Sequence, residues 1–399
     1  MTKTGILFRV ASGLLAAALT LSLTACGGSS SNSDASAAAN SASDSSITHL
    51  RFAYHGNLCG APIYMAIENG YFADENIELE QVTVDAAHVG EAIGADQVDV
   101  GMELLGKMLQ PIENGLPIKF TTGVHTGCQK LLVPGNSDIK TVADLKGKNI
   151  GVPGLADAGT LITKRSLNAE GIDISDGSSE VTFTVFSRND LAQALQNKAV
   201  DAIVLGDPQA AVAQDQYGLT ALIDTATDPT YKDEYCCNAF VTSKLAEENP
   251  EAAAAFTRAV QKGAQWVEEH PEETAKIIVD KKYTAGDADL LAAILETYNY
   301  KPSVQGGYDA LKQNAEELTK IGILKEGTDA KAFADNAYIF FDDVPDAPES
   351  DASTGTTASA PSASASSANF QPTEAAAEAE DDCCSGKITK PAQDTNAKA

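Results

Sequence analysis

From Thr48 to Gly206 the chain repeats one pattern, a short apolar run of strand length followed by a helical stretch that stops at a glycine. "THLRFAY" (48–54) leads into "PIYMAIENGYF" (62–72), where Gly70 supplies the helix stop. "IELEQVTV" (77–84), "HVGEAIGADQ" (88–97) and "VDVGM" (98–102) repeat the alternation, and "LPIKFTTGV" (116–124) and "KLLVP" (130–134) read as strands. A second unit follows: the helix "TVADLKG" (141–147), the strand "NIGVP" (149–153), the helix "GTLITKRSLNAEG" (159–171), the strand "EVTFTVF" (180–186), the helix "RNDLAQALQNK" (188–198) and the strand "VDAIVLG" (200–206). Strands alternating with helices of this length predict parallel sheets joined by right-handed crossovers. After "YCCNAFVTS" the chain turns helical, with Pro250 and Pro271 at first-turn positions. The stretch from 47 to 346 is too long for one small core and suits two lobes.

The ends have a different composition. Lys3 and Arg9 precede the apolar run "VASGLLAAALTLSL", which closes on "LTAC" at Leu23–Cys26. A basic start, an apolar run of this length and a small-residue end read as an export signal over residues 1–25. The Leu-Thr-Ala-Cys ending resembles the bacterial lipobox, which makes Cys26 the expected lipid anchor. Residues 26–46 read as a flexible tether, and 347–399 as a disordered acidic, Ala/Ser-rich tail carrying the doublet Cys383–Cys384. The chain has 28 basic against 56 acidic residues, a formal charge of −28. Phosphate repels such a surface, so nucleic acid is excluded as a partner.

Five stretches carry a family resemblance: "APIYMAIENGYFADENIELE" (61–80), "VDVGM" (98–102), "SDIKTVADLKGKNIGVP" (137–153), "VDAIVLGDPQAAVA" (200–213) and the helical return 243–278. In order and spacing they resemble the substrate-binding lipoproteins of ABC importers, in the nitrate, sulfonate, taurine and thiamine-precursor group. The resemblance implies an α/β fold of the type II periplasmic-binding kind, two α/β lobes with a ligand cleft between them. Lobe one would be 47–134 plus 233–346 and lobe two 135–232, with chain crossings near Leu132–Pro134 and Asp233–Ala239. It further implies capture of a small organic ligand, an organosulfonate, taurine or a thiamine-precursor-like molecule, by hinge closure, with no catalysis and no cofactor. The partners would be permease and ATPase subunits, and the chain would be a monomer held on the outer face of the cell membrane by the Cys26 lipid. A related thiamine-pyrimidine synthase is the alternative of another class, but His125 and Cys128 have no evident third group to orient them as a base and nucleophile.

Ligands of open α/β sheets bind at the carboxyl ends of the strands. The loops there carry His55 and Cys59, then Glu103 and Lys107, then His125, Cys128 and Lys130, then Gly159 and Thr160 at a helix start, then Asp207. The returning strand adds Cys236 and Cys237. The helix start at Gly159–Thr160 suits an anionic group. For the cysteines three readings stay open. His55, Cys59, His125, Cys128, Cys236 and Cys237 would suit a soft metal or metal complex. A Cys59–Cys128 disulfide would suit an exported chain, with Cys236–Cys237 as a strained vicinal pair. Otherwise the thiols shape a pocket for an organic ligand.

Overall fold

The computed structural model describes residues 47–175 and 177–347. Cys26, Cys383, Cys384, the export signal, the tether and all but the first residue of the tail lie outside the described residues.

Among the described residues, ten strands form two five-stranded sheets. The first contains β1 (Thr48–Tyr54), β2 (Ile77–Thr83), β3 (Val100–Leu104), β4 (Ile118–Thr126) and β10 (Tyr235–Thr242), in the order β2-β1-β3-β10-β4. The second contains β5 (Gln129–Pro134), β6 (Asn149–Val152), β7 (Thr182–Val185), β8 (Ala202–Gly206) and β9 (Leu219–Asp224), in the order β7-β6-β8-β5-β9. β1 pairs in parallel with β2 and β3, and β6 with β7 and β8. β5 and β10 run antiparallel to both of their neighbours. The sheets are therefore mixed, not all parallel. The reason lies in the connectivity, because β5 and β10 are the strands that arrive from the other lobe and enter each sheet in the reverse direction.

β5 also moves a boundary. The expected division left 130–134 in lobe one, yet Gln129–Leu132 pair with Ile203–Gly206 in the second sheet. The first crossing is thus Gly127–Cys128, directly after β4. Gly127 turns there at φ +64°, with Ala226 so close that any Cβ would collide with it. The second crossing runs between β9 and β10.

Elements follow their local chemistry. Gly70, Gly147 and Gly171 take positive φ of 78°, 77° and 72°, as helix stops require. Asn249 caps the helix Pro250–Glu269 through a bond from the Ala252 N–H, with Pro250 in the first turn. That helix buries Phe256, Val260 and Val267 against the helix Ala61–Glu68. Lobe one has two apolar clusters and lobe two has two smaller ones. Leu161 of lobe two belongs to a lobe-one cluster, beside Leu105 and Leu311, so the lobes meet face to face.

Candidate functional site: a shut cleft over a thiol floor

The carboxyl ends of β1, β3 and β4 and the start of β10 converge on one floor, facing lobe two. The register places Cys237 opposite both Leu104 of β3 and His125 of β4. Cys128 lies at the first crossing, and Cys59 in the short turn Leu58–Gly60 that Asn57 caps. The four described cysteines, spread from position 59 to 237, therefore gather in one place, and all are free thiols.

Cys128 Sγ lies 3.2 Å from Cys236 Sγ. Donor atoms of Cys128, Cys236 and Cys237 lie within 4.8 Å of one another, as do those of Cys59, His125 and Cys237. Thiol hydrogen bonds from Cys236, Cys237 and Cys59 hold Cys128 well below the usual thiol range. Burial and the neighbouring thiols push Cys236 and Cys237 up, and bonds to Cys128 and Cys237 do the same for Cys59. His125 is fully buried, which lowers its pKa and keeps the ring neutral. Its Nδ1 meets the Thr126 carbonyl at 3.1 Å and its ring stacks on Tyr298 at 5.2 Å. Nε2 of His125 and the hydroxyls of Tyr298 and Tyr300 are buried without a hydrogen-bond partner.

His55 does not join the thiols. Its Nδ1 faces the Val84 carbonyl at 3.0 Å and its Nε2 lies 2.7 Å from Glu103 Oε1. Lys107 Nζ meets the other carboxylate oxygen at 2.6 Å. His55 therefore leaves the expected metal set, because both of its nitrogens are engaged elsewhere. Burial opposes ionisation of Glu103, but the charges of Lys107 and His55 outweigh it and hold the carboxyl at about 2.

On the lobe-two side, Lys130 lies 3.4 Å from Asp207 and 3.5 Å from Asp224. Burial still pushes Asp207 up to about 6, because Lys130 only partly offsets it. Gly159 and Thr160 open the helix Ala158–Ala169, but the start of that helix is already served. Asp157 accepts the Gly159 N–H at 3.1 Å, Arg188 pairs with Asp157, and the Thr160 hydroxyl donates to the Gly154 carbonyl at 2.8 Å. What Gly159 provides is close packing, since a Cβ there would lie 2.6 Å from Gln129 Oε1 and from Val204 Cγ1.

The sequence reading missed Arg165. It lies on the same helix and reads as a surface residue, yet it is only 5% exposed. Its guanidinium holds Glu234 of the second crossing in two bonds of 2.7 and 2.9 Å, and Asn314 of lobe one donates to the same carboxylate at 2.8 Å. This network spans both lobes and one crossing. The crevice it borders, between Leu105 and Leu161, narrows to a cavity of ≈ 20 Å³, room for about one water. Arg165 falls one turn after Leu161, and that spacing was the only available sign that it faces the cleft.

A family described as NMT1/THI5 like has a model that matches residues 57–274. A putative aliphatic sulfonates-binding protein of Bacillus subtilis is 24% identical over 229 residues, 56% of this chain and 67% of that protein. A formylaminopyrimidine-binding protein of Halalkalibacterium halodurans is 22% identical over 262 residues, 62% of this chain and 76% of its own. A 4-amino-5-hydroxymethyl-2-methylpyrimidine phosphate synthase of Legionella pneumophila is 24% identical over 235 residues, covering 57% and 72%. Among solved structures, the periplasmic aliphatic sulphonate binding protein SsuA of Escherichia coli superposes with a TM-score of 0.61 at 17% identity, covering 79% of this chain and 98% of that one. The periplasmic nitrate-binding protein NrtA of Synechocystis PCC 6803 gives 0.61 at 17% identity, covering 73% and 86%. At these identities the structures show the fold, that of periplasmic binding proteins.

Proposed function

This chain belongs to the NMT1/THI5-like family, and from that premise we propose that it is the solute-binding subunit of an ABC importer, taking up a small, uncharged or weakly basic organic ligand. The proposed ligand is closer to a thiamine-precursor pyrimidine than to a sulfonate. One observation carries the choice: the cations at the cleft are already matched by carboxylates. Lys107 faces Glu103, Lys130 faces Asp207 and Asp224, and Arg165 faces Glu234. A sulfonate or nitrate entering there would have to displace a buried carboxylate from its partner, which is expensive in a low-dielectric site. A flat ring with hydrogen-bonding edges instead suits the unpartnered Tyr298 and Tyr300 hydroxyls and His125 Nε2.

The cavity of ≈ 20 Å³ is far smaller than such a ligand, so uptake requires the lobes to part about the crossings at 127–128 and 225–234. The chain acts as a carrier that passes its ligand to permease and ATPase subunits. Cys26 anchors it as a monomer to the outer face of the membrane through an acyl chain. Replacing Cys26 with Ser should release the chain from the membrane fraction and abolish acyl labelling, and retention of both would refute the anchor.

The ligand class is tested by thermal shift in the presence of a chelator. The panel is formylaminopyrimidine and related pyrimidines against alkanesulfonates, taurine and nitrate. A pyrimidine that raises the midpoint while the anions leave it unchanged supports the reading. A shift with the anions alone overturns it.

A further inference from the structure

We propose that the thiol floor of the cleft is a binding site for a thiophilic metal ion of the Zn²⁺, Cd²⁺ or Cu⁺ class, with Cys128, Cys236 and Cys237 as its core ligands and Cys59 completing the set. The site goes beyond the proposed organic ligand and stands whether or not that ligand is correctly assigned.

Geometry carries it. Around a tetrahedral ion with bonds of about 2.3 Å, thiolate sulfurs lie about 3.8 Å apart. The three core sulfurs lie within 4.8 Å of one another, with one pair at 3.2 Å, so displacements of less than about 1 Å bring them to that arrangement. Cys59 Sγ lies within 4.8 Å of the Cys237 sulfur and of a His125 ring nitrogen. The ligands come from three separate parts of the chain: the turn after β1, the first crossing and the first residues of β10. Packing alone gives no reason for four small side chains from such distant positions to place their sulfurs together. A single disulfide between Cys128 and Cys236 would explain one pair and leave Cys59 and Cys237 without a role.

The surroundings fit a soft cation. Soft thiolate donors select these ions over hard ones. His125 adds an imidazole whose donor nitrogen lies within 4.8 Å of the Cys59 and Cys237 sulfurs, and its Nε2 is buried and unpartnered. Its Nδ1 is fixed by the Thr126 carbonyl, the kind of second interaction that orients a ligating ring. The ion would sit where the two crossings meet the floor, with Cys128 on the first crossing and Cys236 and Cys237 in the strand that directly follows the second. Binding would then tie together the segments about which the lobes part.

The test uses the full chain carrying Cys26→Ser, Cys383→Ser and Cys384→Ser, which leaves only the four floor thiols of the seven cysteines. The reduced chain is titrated with Cd²⁺ alone under anaerobic conditions, and thiolate-to-cadmium charge-transfer absorption is followed. The expected result is saturation at one equivalent, with Cys128→Ser and Cys236→Ser each weakening binding by at least about tenfold. Cys59→Ser should weaken it more than His125→Gln if Cys59 is the fourth ligand. Because a serine variant can fail by misfolding, the thermal midpoint of the chain with all four thiols intact is measured with and without Zn²⁺, and it should rise. No saturable band, or no rise in the midpoint, overturns the site. Neither readout involves an organic ligand, and the pyrimidine panel is run with chelator, so the two readings fail separately.

Discussion

Replacing Glu103 with Gln removes one buried negative charge that Lys107 and His55 face. The carboxyl is held at about 2 against an ordinary 4.5, so the folded state favours the ionised form by about 2.5 units. At about 1.4 kcal/mol per unit, this is worth about 3 kcal/mol of stability. The sign follows from the direction of the shift. A depressed acid contributes fully above its unfolded pKa, and the contribution fades as the pH falls from about 4.5 through about 2. Urea unfolding of the parent and Glu103→Gln proteins, measured from pH 7 down to pH 2.5, gives the difference directly. It should be about 3 kcal/mol at neutral pH and shrink steadily below pH 4.5. Equal stability at pH 7, or a deficit that stays constant down to pH 2.5, would refute the role of the carboxylate.

Asp207 carries the opposite sign, being raised by burial to about 6 from 3.8. Ionising it costs stability as the pH rises through about 6, so Asp207→Asn should gain up to about 3 kcal/mol at pH 7.5 and nothing below pH 4, read by thermal unfolding at both. Glu234→Ala leaves the Arg165 guanidinium buried and without its carboxylate, a loss of about 3–5 kcal/mol for a buried pair. Parting of the lobes relieves that loss by giving Arg165 water, so small-angle scattering should show a larger radius of gyration than the parent. An unchanged radius with unchanged stability would refute the clamp. Gly159→Ala forces a methyl against Gln129 and Val204 and should cost about 1–3 kcal/mol in chemical denaturation, without changing ligand preference.

Much of the fold can be read from alternating apolar runs and glycine stops. β1 occupies 48–54 as expected, and Gly70, Gly147 and Gly171 hold the positive φ that their places after helical turns require. Periodicity does not encode strand direction, so the reversal of β5 and β10 is invisible in the residues that form them. The helix Leu105–Glu113 was missed because Pro111 reads as a breaker, although a proline late in a short helix is tolerated here. The helix Gln209–Tyr217 and β9 were missed for a different reason: "GDPQ" signals a turn, and the half-buried pattern that follows has little contrast between its faces. In the site, the convergence of Cys59, Cys128, Cys236 and Cys237 follows from placing them all at strand ends. The separation of His55 from them does not, because it depends on which nitrogen Glu103 and Val84 take. Arg165, Tyr298 and Tyr300 were absent from the expected site, since each sits on a helix face or in a return segment that only the packed lobes bring to the floor.

Native mass spectrometry of the full chain, purified anaerobically and kept with chelator, tests the central claim most directly. The account predicts one small organic molecule held per chain, lost on mild activation and restored by adding back a pyrimidine. A chain that retains no organic mass, and that takes up a sulfonate or nitrate when a pyrimidine is offered beside them, would contradict it.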